Sequence, residues 1–309
     1  MICAIIVSFN SEKIFRCYQS VKGQVDFIVI VDNATSDAAI ITKLKELAAA
    51  SGKLKLILST ENFGIAWALN RGVEYAKEKK SDWVLTLDQD SELLADAVKN
   101  MMGNYEKLSE QEKDKVGVLG CKYLERQFNN GNYKLQITNY ESTTMDKQQL
   151  LFKENNLMVT SGNFVKMAAF EKAGVFEEKL FIDYVDIEFY YRVLKAGFKN
   201  YESQNVFILH EFGKSEKKFG FHITNQPPFR RYYIARNCIY FFKKFIFSYP
   251  YRALRVLFGG TLGGAAKITL FEKDKLQKYG YILRGIKDAL LNNYGKLKTT
   301  NVDSGSSPE

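Results

Sequence analysis

At 309 residues and 46% hydrophobic content, the chain can build about two domains, or one large α/β domain with an appendage. Only 4 Pro and 21 Gly exclude a fibrous or low-complexity protein, and four scattered cysteines without a C-x-x-C pair exclude a disulfide scaffold and a cysteine-built zinc site. A net charge of +9 suits anionic partners (nucleic acid, phosphorylated ligands or an acidic membrane surface) and equally suits plain solubility.

The first ninety residues alternate apolar runs with helical patterns. Ile2–Phe9, Phe27–Val31, Leu54–Leu58 and Trp83–Leu87 read as strands. Ser11–Gln24, Asp37–Ser51 and Ile65–Lys79 read as the helices between them. Continuous apolar strands alternating with helices predict an α/β fold with a mostly parallel sheet covered on both faces. Such sheets bind ligands beyond the carboxyl ends of their strands. Polar residues gather there: Ser8 and Asn10, Asp32 and Asn33, Asn62, Asp88 and Asp90. Each could also be an ordinary turn or helix cap.

Further along, Asp96–Lys107 reads as a helix, Val116–Tyr123 as a strand and Glu125–Met145 as a loop or hairpin. Phe164–Ala173 and Asp186–Ala196 read as helices closed by glycine, and Val206–Leu209 as a short strand ending at His210. Beyond Pro227-Pro228 the helical segments Phe229–Phe247, Arg252–Gly259 and Lys275–Asn292 are basic and aromatic. Residues 301–309 have the composition of a disordered tail. The domains expected are 1–228, with a nucleotide-binding half to about 110 and an acceptor half beyond it, then 229–300 as a basic helical region. Met1 leads into an apolar run without a basic flank, and the uncharged run between Arg255 and Lys267 is 11 residues. A bilayer needs about 20, so neither a signal peptide nor a spanning helix is expected.

No G-x-G-x-x-G follows the first strand and no G-x-x-x-x-G-K-[ST] occurs, which argues against dinucleotide dehydrogenases and P-loop NTPases. An acidic pair, Asp88-Gln89-Asp90, instead ends the strand WVLTL. Two carboxylates so spaced reach one divalent cation if the backbone turns, and that cation can bridge a diphosphate. The plainer reading is a turn with Ser91 as a helix N-cap. Asp32 can accept a hydrogen bond from a base or ribose, and the small residues of Glu61-Asn62-Phe63-Gly64-Ile65-Ala66 let a ligand approach the backbone. FIDYVDIE (181–188) places Asp183, Asp186 and Glu188 at a helix head, where anions are stabilised in any case.

Ser8-Phe9-Asn10, VDNATSD, ENFGIA and LDQD occur in one order and spacing that resembles the family-2 inverting glycosyltransferases of the GT-A fold. LDQD, FIDYVDIEFYYR and His210-Glu211-Phe212-Gly213 resemble most the bacterial rhamnosyltransferases that use dTDP-L-rhamnose. The resemblance spans about Met1–Phe247. It implies that Ser8, Asn10, Asp32 and Asn33 line the nucleotide pocket and that Asn62, Gly64 and Asn70 belong to the donor-binding segment. It implies that Asp88 and Asp90, with His210, hold Mg²⁺ or Mn²⁺ on the diphosphate, and that Asp88 and Gln89 contact the nucleotide sugar. Asp186 is the implied catalytic base. Val185 stands where relatives carry a glutamate, so Asp183 stays open as an alternative; Glu188 either orients an acceptor hydroxyl or pairs with Arg192. Ser161, in Ser161-Gly162-Asn163, would lie under the donor sugar, and Arg230 or Arg231 would touch a diphosphate.

The implied activity is transfer of L-rhamnose, with inversion, to a lipid-linked or growing cell-surface polysaccharide, giving an α-linkage. A UDP-sugar donor remains open. A nucleotidyltransferase lacks its glycine-rich loop here, and a nucleic-acid-binding protein lacks an RNP-like strand or a helix-turn-helix. The expected location is cytoplasmic. The basic aromatic helices leave three places open for themselves: the inner face of the plasma membrane, packing within the protein, or a homo-oligomer interface.

Overall fold

The structure is a computed structural model; it describes residues 1–129, 132–137, 151–210, 215–218, 221–224 and 226–298. The expected tail at 301–309, residues 130–131 and 138–145 of the expected loop or hairpin, and Glu211–Gly213 lie outside the described residues. The chain divides into two compact units, Met1–Phe176 with Phe189–Glu211, and Glu177–Glu188 with Phe212–Glu309.

The first unit is a mixed sheet flanked by helices. Strand β1 (Ile2–Ser8) is apolar and almost wholly buried. It pairs in parallel with β2 (Phe27–Asp32) on one side and β4 (Trp83–Asp88) on the other, and β3 (Leu54–Leu58) lies outside β2. The connections are α1 (Lys13–Val21), α2 (Ala38–Ala50) and α3 (Ile65–Glu78). Strands β1, β2 and β4 lack the in–out alternation of a half-exposed sheet because both faces are covered. Strand order reverses at β1, where the chain fills β2 and β3 first and then crosses to β4. That is the topological switch point at which open α/β sheets bind ligands. Registration puts Ser8 beside Asp32 and Val7 beside Asp88, so those polar ends share one edge.

The second half of the sheet departs from the expected elements. Sheet order continues from β4 through β9 (Asn163–Lys166), β6 (Val116–Asn129) and β10 (Lys199–His210) to β5 (Ser91–Leu93). Phe164–Lys166, expected as helix, is antiparallel strand; Phe164 and Val165 are both buried between β4 and β6. Helix α6 starts only at Met167 and ends at Ala173. Strand β10 is three times the expected length because it pairs along β6 and also with β8 (Phe152–Glu154). Ser91 is not a helix cap: it opens β5, and the next helix, α4 (Ala97–Glu106), starts six residues later. The short α5 (Glu110–Lys115), absent from the sequence reading, carries a full capping box from Ser109 and Glu112. Strand β7 (Asn132–Ile137) returns along β6 as a hairpin.

Helix α7 (Val185–Lys195) begins in the second unit and ends in the first. The second unit also holds a hairpin, β11 (Ser215–Lys218) with β12 (Phe221–Thr224). Its core is α8 (Pro228–Phe245) against α11 (Lys275–Leu290). They cross closely: a Cβ on Gly285 would lie 2.4 Å from the Tyr232 carbonyl oxygen, so the crossing admits no side chain there. Between them α9 (Pro250–Phe258), a π-helical turn and α10 (Gly264–Phe271) form one continuous helix of 22 residues. This corrects the expectation of a short helix ending at Gly259. Arg255 and Lys267 interrupt its charge-free run, yet its length and composition suffice to cross a membrane, which the shorter count had excluded.

Candidate functional site

At the carboxyl edge of β1 and β2, local hydrogen bonds tie the polar residues together. Asp32, 1% exposed, accepts from the Thr35 amide (2.8 Å) and hydroxyl (2.5 Å). Asn10 takes a left-handed conformation, its Oδ1 accepting from the Ser36 amide at 2.8 Å, while its own amide donates to Thr35 Oγ1 at 2.9 Å. Asn33 and Asn62 form a second clasp. Asn33 Nδ2 donates to Asn62 Oδ1 (2.9 Å), which also accepts from the Gly64 amide, and Asn33 Oδ1 accepts from the Phe63 amide. Gly64 starts α3 at φ +91°, a conformation that a side chain would strain. Ser8 Oγ is fully buried without a protein partner among the described residues. An orphaned hydroxyl at a strand end is what a ligand-facing group looks like. Asn70 lies elsewhere: its amide clamps both backbone groups of Phe176 at 2.9–3.0 Å, inside the packing of α3.

The acidic pair is built more tightly. Gln89 turns back and bonds both the amide (2.8 Å) and the carbonyl (2.9 Å) of Phe9, which fixes the turn between Asp88 and Asp90. Antiparallel pairing of β5 with β10 sets Ser91 directly across from His210. Ser91 Oγ lies 2.7 Å from His210 Nδ1 and 2.6 Å from Ser161 Oγ, and Ser161 Oγ accepts from the Asp88 amide at 3.0 Å. Tyr123 Oη donates to the Ser161 carbonyl at 2.7 Å, and its ring sits 5.8 Å from the imidazole. His210 Nδ1 is 3.5 Å from Asp90 Oδ1. One ligand atom from each of Asp88, Asp90 and His210 falls within 4.8 Å of the others. Donors on an octahedral cation stand about 3–4 Å apart at bonds of about 2.1 Å, so a slight closure completes the set. Two carboxylate oxygens with one imidazole form a donor set that suits a divalent cation. Buried Cys17 registers the same negative field: burial pushes its thiol pKa well up, and Asp88, Asp90 and Glu92 push it further.

Ser91 bonds the imidazole directly, and Ser161 and Tyr123 fix Ser91 in turn, an arrangement like the outer hydrogen bonds that orient metal-binding histidines. Ser91→Ala is expected to weaken Mn²⁺ binding by about 10–100-fold while leaving the fold intact, measured by calorimetric titration. Unchanged affinity would remove Ser91 from the site.

In the second unit, residues 177–188 carry the other acidic candidates. Asp183 is held by a two-point ion pair with Arg230, each neutralising the other. That pair brings two of the expected site residues together. Asp186 is half-buried in the first turn of α7, its Oδ1 accepting from the Ile187 amide at 2.8 Å. Its neighbour Tyr184 stays a neutral phenol, since burial raises its pKa and Cys238, Asp183 and Asp186 add to the effect. Glu188, fully buried, takes Lys244 at 2.6 Å; Arg192 donates to the carbonyls of Ala173 and Val175. Arg231 is no diphosphate ligand: it is 7% exposed and forms a buried triad with Glu272 and Lys278 inside the helical unit.

Sequence reasoning assigned no site role to Thr35, Ser91 or Tyr123, and it marked Arg236 and Asn237 only as part of a basic aromatic cluster. Ser91, directly after the acidic pair, and Thr35, three residues from Asp32, had local signals. Tyr123, Arg236 and Asn237 act across 38 to 59 residues of chain.

The sequence profile of Glycosyl transferase family 2 matches residues 3–174. The chain belongs to that family, and its fold is GT-A. The dTDP-rhamnosyl transferase RfbF of Shigella flexneri is 30% identical over 252 residues, covering 79% of this chain and 80% of that protein. The crystal structure of S. aureus TarS (residues 1–349) in complex with UDP-GlcNAc superposes with a TM-score of 0.58 at 15% identity, over 94% of this chain and 80% of that one. GalNAc-T7, crystallised with UDP, GalNAc and Mn²⁺, gives a TM-score of 0.58 at 12% identity. It covers 94% of this chain, which spans only 56% of GalNAc-T7.

Proposed function

We propose that this glycosyltransferase transfers L-rhamnose from dTDP-β-L-rhamnose, with inversion, to a lipid-linked or growing cell-surface polysaccharide, such as a cell-wall or O-antigen chain. The Asp88–Asp90–His210 cluster at the end of β4 carries the reading, because it suits a cation-bound sugar diphosphate. The 30% identity to a dTDP-rhamnosyl transferase supports the donor. A bound Mg²⁺ or Mn²⁺ would neutralise the charge that develops on the departing diphosphate.

The chain's own residues do the rest. Ser8, Asn10, Asp32 and Asn33 bind the nucleoside, with Asp32 using the lone pairs that Thr35 leaves. Asn62 and Gly64 form the backbone turn facing the donor, and Ser161 supports its sugar from below. Asp186 takes the proton of the acceptor hydroxyl as that oxygen attacks the anomeric carbon, and the carbon–phosphate-oxygen bond breaks on the opposite face. The product from a β-donor is an α-rhamnoside. A cytoplasmic location follows from this reading, because nucleotide sugars are made there. UDP-hexosyl transfer is the second reading, since the TarS and GalNAc-T7 structures were solved with UDP or a UDP-sugar.

The test is thermal stability with Mn²⁺ and a panel of dTDP, UDP and their sugars. A ligand at a hundred times its dissociation constant adds about 2.7 kcal/mol. Stabilisation by dTDP-rhamnose that needs the metal is expected; preference for UDP-sugars replaces the donor, and no shift with any nucleotide rejects the reading. Asp186→Asn is expected to keep the donor-induced shift and lose transfer by about 10²–10⁴-fold. Transfer at the wild-type rate would exclude Asp186 as the base.

A further inference from the structure

We infer that the outer face of the α9–α10 helix docks on the surface of an anionic lipid bilayer. Helices at a protein surface normally turn their large apolar residues inward. Here the outer face is apolar as well. Ala253, Gly260, Gly264 and Ile268 face inward and are buried. Tyr251, Leu254, Phe258 and Leu262, spaced three or four apart on one face, are 72%, 41%, 53% and 66% exposed. Leu270 extends the apolar surface at 68%. Of the helix's most apolar 18 residues, 17% are buried. A continuous exposed stripe of this kind marks a contact surface.

Charge selects the occupant. Residues 226–298 hold 15 Lys+Arg against 3 Asp+Glu, a net +12 against +9 for the whole chain, so the remainder is net acidic. No acidic residue lies between Lys217 and Phe271, and Arg255 and Lys267 are exposed on the helix itself. A second copy would bring two faces of the same sign together, which Coulomb repulsion opposes. An anionic bilayer accepts both features: the apolar side chains enter the headgroup boundary and the cations meet lipid phosphates. The helix lies on the bilayer and does not span it. A Cβ on Gly260 would stand 2.7 Å from Cys238 of α8, so its inner face is already occupied by protein. Crossing would also carry Arg255 and Lys267 into hydrocarbon.

The inference needs no enzymatic readout, so it stands or falls apart from the proposed reaction. The full-length protein is sedimented with vesicles of phosphatidylcholine alone and with vesicles containing one-third phosphatidylglycerol. Binding at least tenfold tighter to the anionic vesicles is expected, weakening as salt rises. Phe258→Ser with Leu262→Ser is expected to reduce it tenfold or more, and Arg255→Glu with Lys267→Glu to erase the lipid preference. In a Phe258→Trp variant, indole emission should shift to the blue on anionic vesicles. No binding above the phosphatidylcholine level overturns the inference. So does binding that both double variants retain, or a dimer in the analytical ultracentrifuge that Phe258→Ser dissolves.

Discussion

Asp90→Asn is expected to abolish metal-dependent stabilisation and to cut sugar transfer by about 10³-fold. Losing one preorganised electrostatic partner of a developing charge costs about 10²–10³ in rate. Asp90 also belongs to a three-donor set that has no second acidic pair to replace it among the described residues. The substitution carries an opposite effect on the metal-free protein. Asp88 and Asp90 present like charges beside one another, so removing one relieves repulsion and the metal-free variant should be at least as stable as the parent. The measurement is a thermal scan of both proteins with and without Mn²⁺, beside a transfer assay. A variant that keeps the Mn²⁺ shift would place the cation elsewhere; one that melts earlier without metal would make Asp90 structural.

The second large effect falls on Arg236 and Asn237, which hold the segment carrying Asp186. Phe181, Asp183 and Tyr184 all have φ between +64° and +66°, although none is glycine. Each costs about 1–2 kcal/mol, which the surroundings must offset. Asn237 Nδ2 donates to the carbonyls of Leu180, Ile182 and Asp183 at 2.8–3.0 Å. Arg236, with no exposed surface, donates to the carbonyls of Lys179, Leu180 and Gly295. Its guanidinium also lies 5.0–5.6 Å from the rings of Tyr232, Tyr233 and Tyr294. Asn237→Leu and Arg236→Met each strip donors from two or more buried carbonyls at about 1–3 kcal/mol apiece. A loss of about 3–5 kcal/mol is expected for each, read as faster hydrogen exchange in residues 177–188. For Asn237→Leu the sheet edge is untouched, so the donor KM should hold while kcat falls. Exchange at the parent rate would show that the left-handed turns stand without this support.

The nucleotide-binding half was legible because its signals are local. An apolar run of strand length and a polar residue at its carboxyl end lie within ten residues of each other, as in Ile2–Asn10 or Trp83–Asp90. The second half was less so. Asn163–Lys166 joins the sheet because Phe164 and Val165 fill a gap between β4 and β6, contacts made 79–81 and 45–47 residues away in sequence. Its own pattern, running straight into Met167–Ala173, reads as one helix. Arg231 was misplaced for the same reason: its carboxylate partner, Glu272, lies 41 residues on.

By itself, the amino-acid sequence determined the α/β class, the acidic pair at the end of β4 and the basic character of the C-terminal helices, since periodicity, adjacency and charge are properties of short stretches. Only the tertiary structure decided that Ser91 faces His210, that Asp183 is neutralised by Arg230, and that the apolar residues of α9–α10 face outward. Those outcomes depend on strand register and on which face of a helix finds a partner, and both are set by chain segments far apart.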